Sequence, residues 1–255
     1  MMLQGKNILV MGVANKRSIA WAIAQALHVQ GAKLIFTYQG ERLEKNVRDL
    51  VSEAMPDSLM LPCDVTNDAE IDAVFQDLTD RLPALHGIVH SLAFAKSEDL
   101  DGRFIDTSRD GYLLAQNISA YSLVAVARRA QPLMTEGGSI MTMTYLGGER
   151  VVENYNVMGV AKAALDMSVR YLAQDLGMYQ IRVNAISAGP IRTLAAKGVK
   201  DFNKILHTME ERAPLRRTTD VSEVADTAVY LMSSMSRGVT GEVIHVDSGY
   251  HMLGY

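Results

Sequence analysis

A single cysteine, Cys63, occurs in 255 residues, so no internal disulfide can staple this fold and a thiolate metal site has too few ligands. In Leu61-Pro62-Cys63-Asp64 it reads as a small buried residue at a strand end, and no metal is expected. Aromatic residues make up only 6% of the chain, and no apolar run reaches the ~18 residues that a membrane-spanning helix needs. Long basic blocks are also missing, and the net charge is −4. The chain therefore has no electrostatic footprint for nucleic acid or an anionic membrane, and an acidic partner must be met by a local basic patch. The opening Met1-Met2-Leu3-Gln4-Gly5-Lys6-Asn7 leads straight into an apolar segment without signal-peptide organisation. These absences lead us to expect a soluble protein of the cytoplasm.

What is present is a 48% apolar chain arranged in a regular alternation. Short β-branched or apolar runs at 7–11, 33–37, 58–61, 87–91, 139–142, 182–185 and 243–246 read as seven strands. Longer stretches of helical period lie at 19–30, 41–54, 68–81, 111–134, 157–177 and 221–232. Thr66 or Asn67 is placed to cap the third of these helices, and Gly31 to end the first. The pattern predicts an α/β fold, a doubly wound parallel sheet with helices on both faces, occupying 1–255 as one domain. One segment breaks the rhythm. Residues 193–213 form a mixed polar and apolar insertion just after the sixth strand, where ligands of open α/β sheets bind.

The dinucleotide fingerprint G-x-G-x-x-G is absent after the first strand, because Ala14 and Ser18 stand where two glycines are usual. Gly12 still permits a tight turn, and N–H groups around Ser18 and Ile19 at a helix start suit a pyrophosphate. At the third strand end, Asp64-Val65 either recognises an adenine amino group or caps the helix that follows. Small residues in Ser91-Leu92-Ala93 let backbone approach a cofactor. In Gly189-Pro190-Ile191-Arg192-Thr193, the Ile191 backbone can pair with a carboxamide and Thr193 can reach a pyrophosphate. The second strand ends in Gln39-Gly40-Glu41-Arg42, without the acidic residue that usually accepts a ribose 2′-hydroxyl. Gln39 can hydrogen-bond a hydroxyl, and Arg42 is either a solvated charge or a partner for a 2′-phosphate. We therefore expect NADH rather than NADPH.

Tyr155 and Lys162 stand seven positions apart, about two helical turns, so both face one side if the segment is helical. Short-chain dehydrogenases usually set the tyrosine one turn before the lysine, and here that position is Met158. Tyr145 follows the fifth strand, where carbonyl-reducing members carry a serine. The spacing and the segments Tyr145-Leu146-Gly147-Gly148-Glu149, Asn154-Tyr155-Asn156-Val157-Met158-Gly159 and Ser187-Ala188-Gly189-Pro190-Ile191-Arg192-Thr193-Leu194 resemble the enoyl-acyl-carrier-protein reductases of bacterial fatty-acid synthesis. The resemblance runs over nearly the whole chain. It implies a seven-stranded Rossmann-type sheet of short-chain dehydrogenase architecture, a homotetramer, and reduction of a carbon–carbon double bond by NADH. Tyr155 would hydrogen-bond the thioester oxygen, Lys162 would hold the nicotinamide ribose and favour partial ionisation of Tyr155, and Tyr145 would line the pocket.

The same resemblance adds Ile118 to the cofactor site and makes 193–213 a lid over an acyl tail that Phe94, Ala95, Met158, Ala195, Val199, Phe202 and Ile205 contact. Lys197, Lys200 and Lys204 on its other side would meet the acidic acyl carrier protein; the neighbouring Asn203 departs from the family's usual arginine. Two rival readings remain: a carbonyl-reducing short-chain dehydrogenase such as a 3-oxoacyl-acyl-carrier-protein reductase, which Met158 and Tyr145 disfavour, and a noncatalytic nucleotide sensor on the same fold, which has no reason to keep Tyr155 and Lys162.

Overall fold

The structure, a computed structural model, describes residues 1–193 and 201–254. Its strands are β1 (Asn7–Met11), β2 (Lys33–Tyr38), β3 (Leu59–Pro62), β4 (Gly87–His90), β5 (Gly138–Thr144), β6 (Ile181–Ala188) and β7 (Val243–Val246). They form one parallel sheet in the order β3-β2-β1-β4-β5-β6-β7. Strands inside such a sheet are covered on both faces, and the side-chain alternation shows it: Ile8 and Val10 of β1 enter one core, Leu9 and Met11 the other.

Helices α1 (Ile19–Val29), α2 (Gly40–Ala54) and α9 (Val221–Met232) cover the first face. On the second lie α3 (Asp68–Arg81), α6 (Ser122–Ala130) and α7 (Asn156–Leu176). The described residues also form the helices α4 (Ser97–Leu100), α5 (Arg109–Gln116) and α8 (Phe202–Arg212). Asn67 caps α3 by accepting from the Ala69 N–H, and Asp220 and Glu223 form a capping box on α9. The long helix expected over 111–134 is broken. Between α5 and α6 the backbone runs through a π turn, Asn117–Tyr121, and the last turn is a short 3₁₀ segment.

Strand order reverses at β1, whose neighbours β2 and β4 are reached by connections on opposite sides of the sheet. A cleft opens at such a point, beyond the carboxyl ends of the strands. Gly12 is the residue that lets the two loops meet there. Its φ is +100°, and a Cβ on it would lie 2.0 Å from the Ser91 carbonyl oxygen.

Candidate active site

The cleft has a volume of about 670 Å³ and runs from Gln39, Cys63, Asp64 and Val65 at one end, past Gly12, Ser18 and Ile19 at the mouth of α1, to Ser91, Ala93, Ile118, Lys162 and Thr193 at the other. An elongated groove with a helix N-terminus at its middle suits a dinucleotide, whose pyrophosphate would lie at that terminus. A second pocket of about 290 Å³ continues from it, sharing Ile19, Ala93, Phe94, Met143, Lys162 and Thr193 with the first. Its wall adds Ala95, Tyr145, Tyr155, Met158, Gly189, Ile191, Phe202 and Ile205. Every residue expected from sequence at the cofactor or substrate, the alternative Arg42 apart, lines one of these two cavities except Ala195 and Val199. Those two, with Lys197 and Lys200, lie outside the described residues.

The turn after β1 is built around the Ser18 hydroxyl, which accepts the Ala14 and Asn15 N–H groups at 3.0 and 3.1 Å. The Ser18 N–H itself is bonded to the Asn15 carbonyl, so it does not face a ligand as the sequence suggested. Ile19, the first helical residue, has no intrahelical partner for its N–H and lines the cleft. At the far end Asp64 accepts from the Thr66 N–H and hydroxyl and, at 2.8 Å, from the Gln39 amide nitrogen. Partial burial works to raise the Asp64 pKa, but these hydrogen bonds outweigh it and hold the carboxyl below its usual range. A carboxylate can only accept, so Gln39 turns its NH₂ toward Asp64 and presents its carbonyl oxygen as an acceptor on the cleft wall. The helix-cap reading of Asp64 is overturned, because Asn67 has that place. Arg42 is exposed and does not line the cleft.

The reacting end is set by the start of α7. Tyr155 is not on the helix but at its N-cap position, between Asn154 and Asn156, both of which have positive φ. The Asn156 amide donates to the carbonyls of Leu100 and Gly102 and anchors this turn to α4. Tyr155 packs edge-on against Tyr145, with ring centroids 5.0 Å apart. Gly147 makes room for it, since a Cβ there would sit 2.4 Å from the Tyr155 ring.

Burial decides the ionisation of this group. Tyr155 keeps part of its surface open to the pocket, yet the surrounding protein, then Tyr145 and Asp166, push its pKa well above the ordinary phenol value. The expected partial ionisation is therefore reversed: Tyr155 is a neutral O–H donor. Burial and the nearby Tyr250 and Asp247 raise Tyr145 to about 12. Lys162 is buried, donates to the Met143 carbonyl at 2.7 Å, and is lowered by desolvation to about 8 against the attraction of Asp166. Burial in turn lifts the Asp166 carboxyl, against the pull of Lys162.

The family model described as enoyl-(acyl carrier protein) reductase matches residues 12–251. An NADH-type enoyl-[acyl-carrier-protein] reductase of Bacillus cereus is 68% identical over 254 residues, 99% of each chain. Its counterpart from Bacillus subtilis is 64% identical, covering 98% of this chain and 97% of the relative. The chain belongs to the enoyl-acyl-carrier-protein reductase family. A crystal structure of the Bacillus cereus enzyme with NADP⁺ and indole naphthyridinone superposes with a TM-score of 0.98 at 67% identity, covering 100% of this chain and 99% of that one. An NADPH-type relative from Staphylococcus aureus is 56% identical, covering 98% of each chain.

Several wall positions of this reductase escaped the sequence reading. Leu43, Leu114 and Met143 line the larger cavity, and Leu100, Val152 and Pro190 the smaller. Each is an ordinary apolar residue until the fold brings it to the cleft. Asp166 had a usable signal, because it lies four residues after Lys162 and so on the same helix face.

Proposed function

We propose that the chain reduces the carbon–carbon double bond of a trans-2-enoyl thioester carried by acyl carrier protein, with NADH as reductant, as the last step of a fatty-acid elongation cycle. The observation that carries this reading is the placement of Tyr155, neutral and paired with Tyr145, on the pocket that Lys162 joins to the cofactor cleft. Bound NADH supplies a hydride to C3 of the enoyl chain. Charge would then develop on the thioester oxygen, the Tyr155 hydroxyl would donate a hydrogen bond to it, and a proton from solvent would reach C2 to complete the saturated chain. Lys162 would hold the nicotinamide ribose hydroxyls, with Tyr145 keeping the Tyr155 ring in place. Gln39 would accept from the adenosine ribose, Asp64 and Val65 would meet the adenine, and the Ile19 N–H would face the pyrophosphate. Ser91, Ala93 and Ile118 would pack on the cofactor, while the Ile191 backbone and Thr193 would secure its carboxamide and pyrophosphate. No cation of the described residues lines the ribose end of the cleft, which favours NADH over NADPH. The deciding assay is NADH oxidation with crotonyl against acetoacetyl thioester: turnover on the first and not the second is expected, and the reverse would make the chain a carbonyl reductase.

In this reading the chain acts as one cytoplasmic domain, with 193–213 as the lid. Phe202 and Ile205 of α8 face the acyl pocket and leave Leu206 and Met209 buried beneath. Lys204 is exposed on the same helix and offers charge to the acidic carrier protein. Lys204→Glu is expected to raise KM for the carrier-protein thioester several-fold more than for the coenzyme A thioester; equal effects would remove this face from the docking surface. Among the described residues no helix is long and apolar enough to cross a membrane. Exposed Tyr112, Leu113, Tyr121, Met167 and Tyr171 lie on α5, the π turn and α7, which touch one another. A homotetramer would cover this apolar surface.

A further inference from the structure

His90 is fully buried, titratable and untouched by the chemistry above. It ends β4, immediately before the cleft residue Ser91. Its ring nitrogens reach in two directions: Nδ1 lies 2.9 Å from the Thr142 hydroxyl on β5, and Nε2 lies 2.8 Å from the Ser122 hydroxyl at the start of α6. Ser122 donates in turn to the Ile118 carbonyl at 2.6 Å, inside the π turn. A second tie holds the same turn, because Ser119 accepts from the Phe94 N–H at 3.0 Å. The π turn is thus fastened from its middle, through Ser119, to the loop after β4 and from its trailing edge, through Ser122, to the last residue of β4, and Ile118 between them lines the cofactor cleft. Nothing in α5 or α6 alone calls for such a break, and an uninterrupted helix would set Ile118 at a different angle.

We infer that His90 is a positioning residue for the cofactor: by donating from Nε2 to Ser122 it directs the Ser122 hydroxyl onto the Ile118 carbonyl and holds the π turn against the cleft. The proton count supports one tautomer. Ser122 and Thr142 each have one hydroxyl proton and each also lies by a backbone carbonyl, Ser122 at 2.6 Å from Ile118 and Thr142 at 3.0 Å from His90, while a neutral ring carries a single N–H. The longer Thr142 contact is the one that gives way: Thr142 turns its proton to Nδ1, Ser122 keeps its proton on Ile118 and accepts from Nε2–H. Burial, with the nearby Lys162 charge, lowers the His90 pKa to about 3, so the ring stays neutral at any physiological pH. This role rests on the reading of the larger cleft as the NADH site.

The test uses the intact enzyme. Ser122→Ala keeps the ring and removes the link, and should raise the NADH dissociation constant about tenfold while kcat at saturating NADH stays within about twofold. His90→Phe, which removes both ring contacts at similar volume, should shift NADH affinity in the same direction. A wild type that binds NADH alongside an unaltered dissociation constant in Ser122→Ala overturns the role of His90. A wild type that binds no NADH instead overturns the reading of the cleft. Nitrogen-15 spectra of histidine-labelled wild type give a check that needs no variant to fold: His90 should show the Nε2–H tautomer unchanged from pH 5 to 9, and an Nδ1–H ring or a titration in that range would overturn the inference.

Discussion

Tyr155→Phe is expected to lower kcat on a crotonyl thioester by about 10²–10³-fold, the usual loss when one preorganised donor to a developing oxyanion is removed. The NADH dissociation constant should stay within about twofold, because the lost hydroxyl acts only on charge that forms during reaction. The ring is retained, so the edge contact with Tyr145 and the fit against Gly147 persist and the Tm should hold. Since burial raises the Tyr155 pKa, wild-type turnover should show no loss on the acid side from phenolate protonation. Stopped-flow rates beside fluorescence titration of NADH separate the two quantities. Turnover close to wild type would remove Tyr155 from the reacting centre.

Lys162→Met is expected to do two opposite things: weaken NADH binding by an order of magnitude or more, and raise the Tm of the cofactor-free protein. Holding the ammonium at about 8 rather than 10.5 amounts to about 3 kcal/mol against its charged form in the fold. Between those pH values the unfolded chain carries a proton on this lysine that the folded chain lacks, so the stability of the wild type rises with pH across that window. Below pH 8 the cost of burying the charge is present in full, and methionine abolishes it. Loss of the bond to the Met143 carbonyl offsets about 1 kcal/mol, leaving a net gain at pH 7 that should vanish above pH 10.5. NADH affinity of the wild type should fall as pH rises through about 8 and be flat in the variant. A variant that loses Tm and NADH affinity together would make Lys162 a packing residue.

The elements legible in the sequence are those with local signals. The bounds expected for β1, β7, α3 and α9 are the observed ones, and α3 and α9 carry side-chain caps, Asn67 and Asp220, that mark where the helix begins. The helix expected over 111–134 failed for the opposite reason. Its apolar pattern is continuous, and what interrupts it comes from elsewhere: Ser119 meets Phe94, and Ser122 meets His90. Tyr155 was placed on the same side as Lys162, and both do line one pocket. The expected helix bounds, 157–177, already left Tyr155 just ahead of the helix, whereas the positive φ of Asn154 and Asn156 that shapes this turn is something periodicity does not report.

By itself, then, the sequence determined the alternation of strands and helices, the doubly wound sheet, and, through a resemblance that rests in part on the spacing of Tyr155 and Lys162, the family. These are properties of residue order and period, and residue order carries them. Charge state and orientation belong to the tertiary structure. Whether Tyr155 ionises, whether Lys162 holds its proton at neutral pH, which way the Gln39 amide turns and why Gly12 is needed all depend on neighbours brought from distant positions: Asp166 and Tyr145, the Met143 carbonyl, Asp64, and the Ser91 backbone. Desolvation and hydrogen-bond geometry fall off within a few ångströms, so they are decided only once the sheet has brought those groups together.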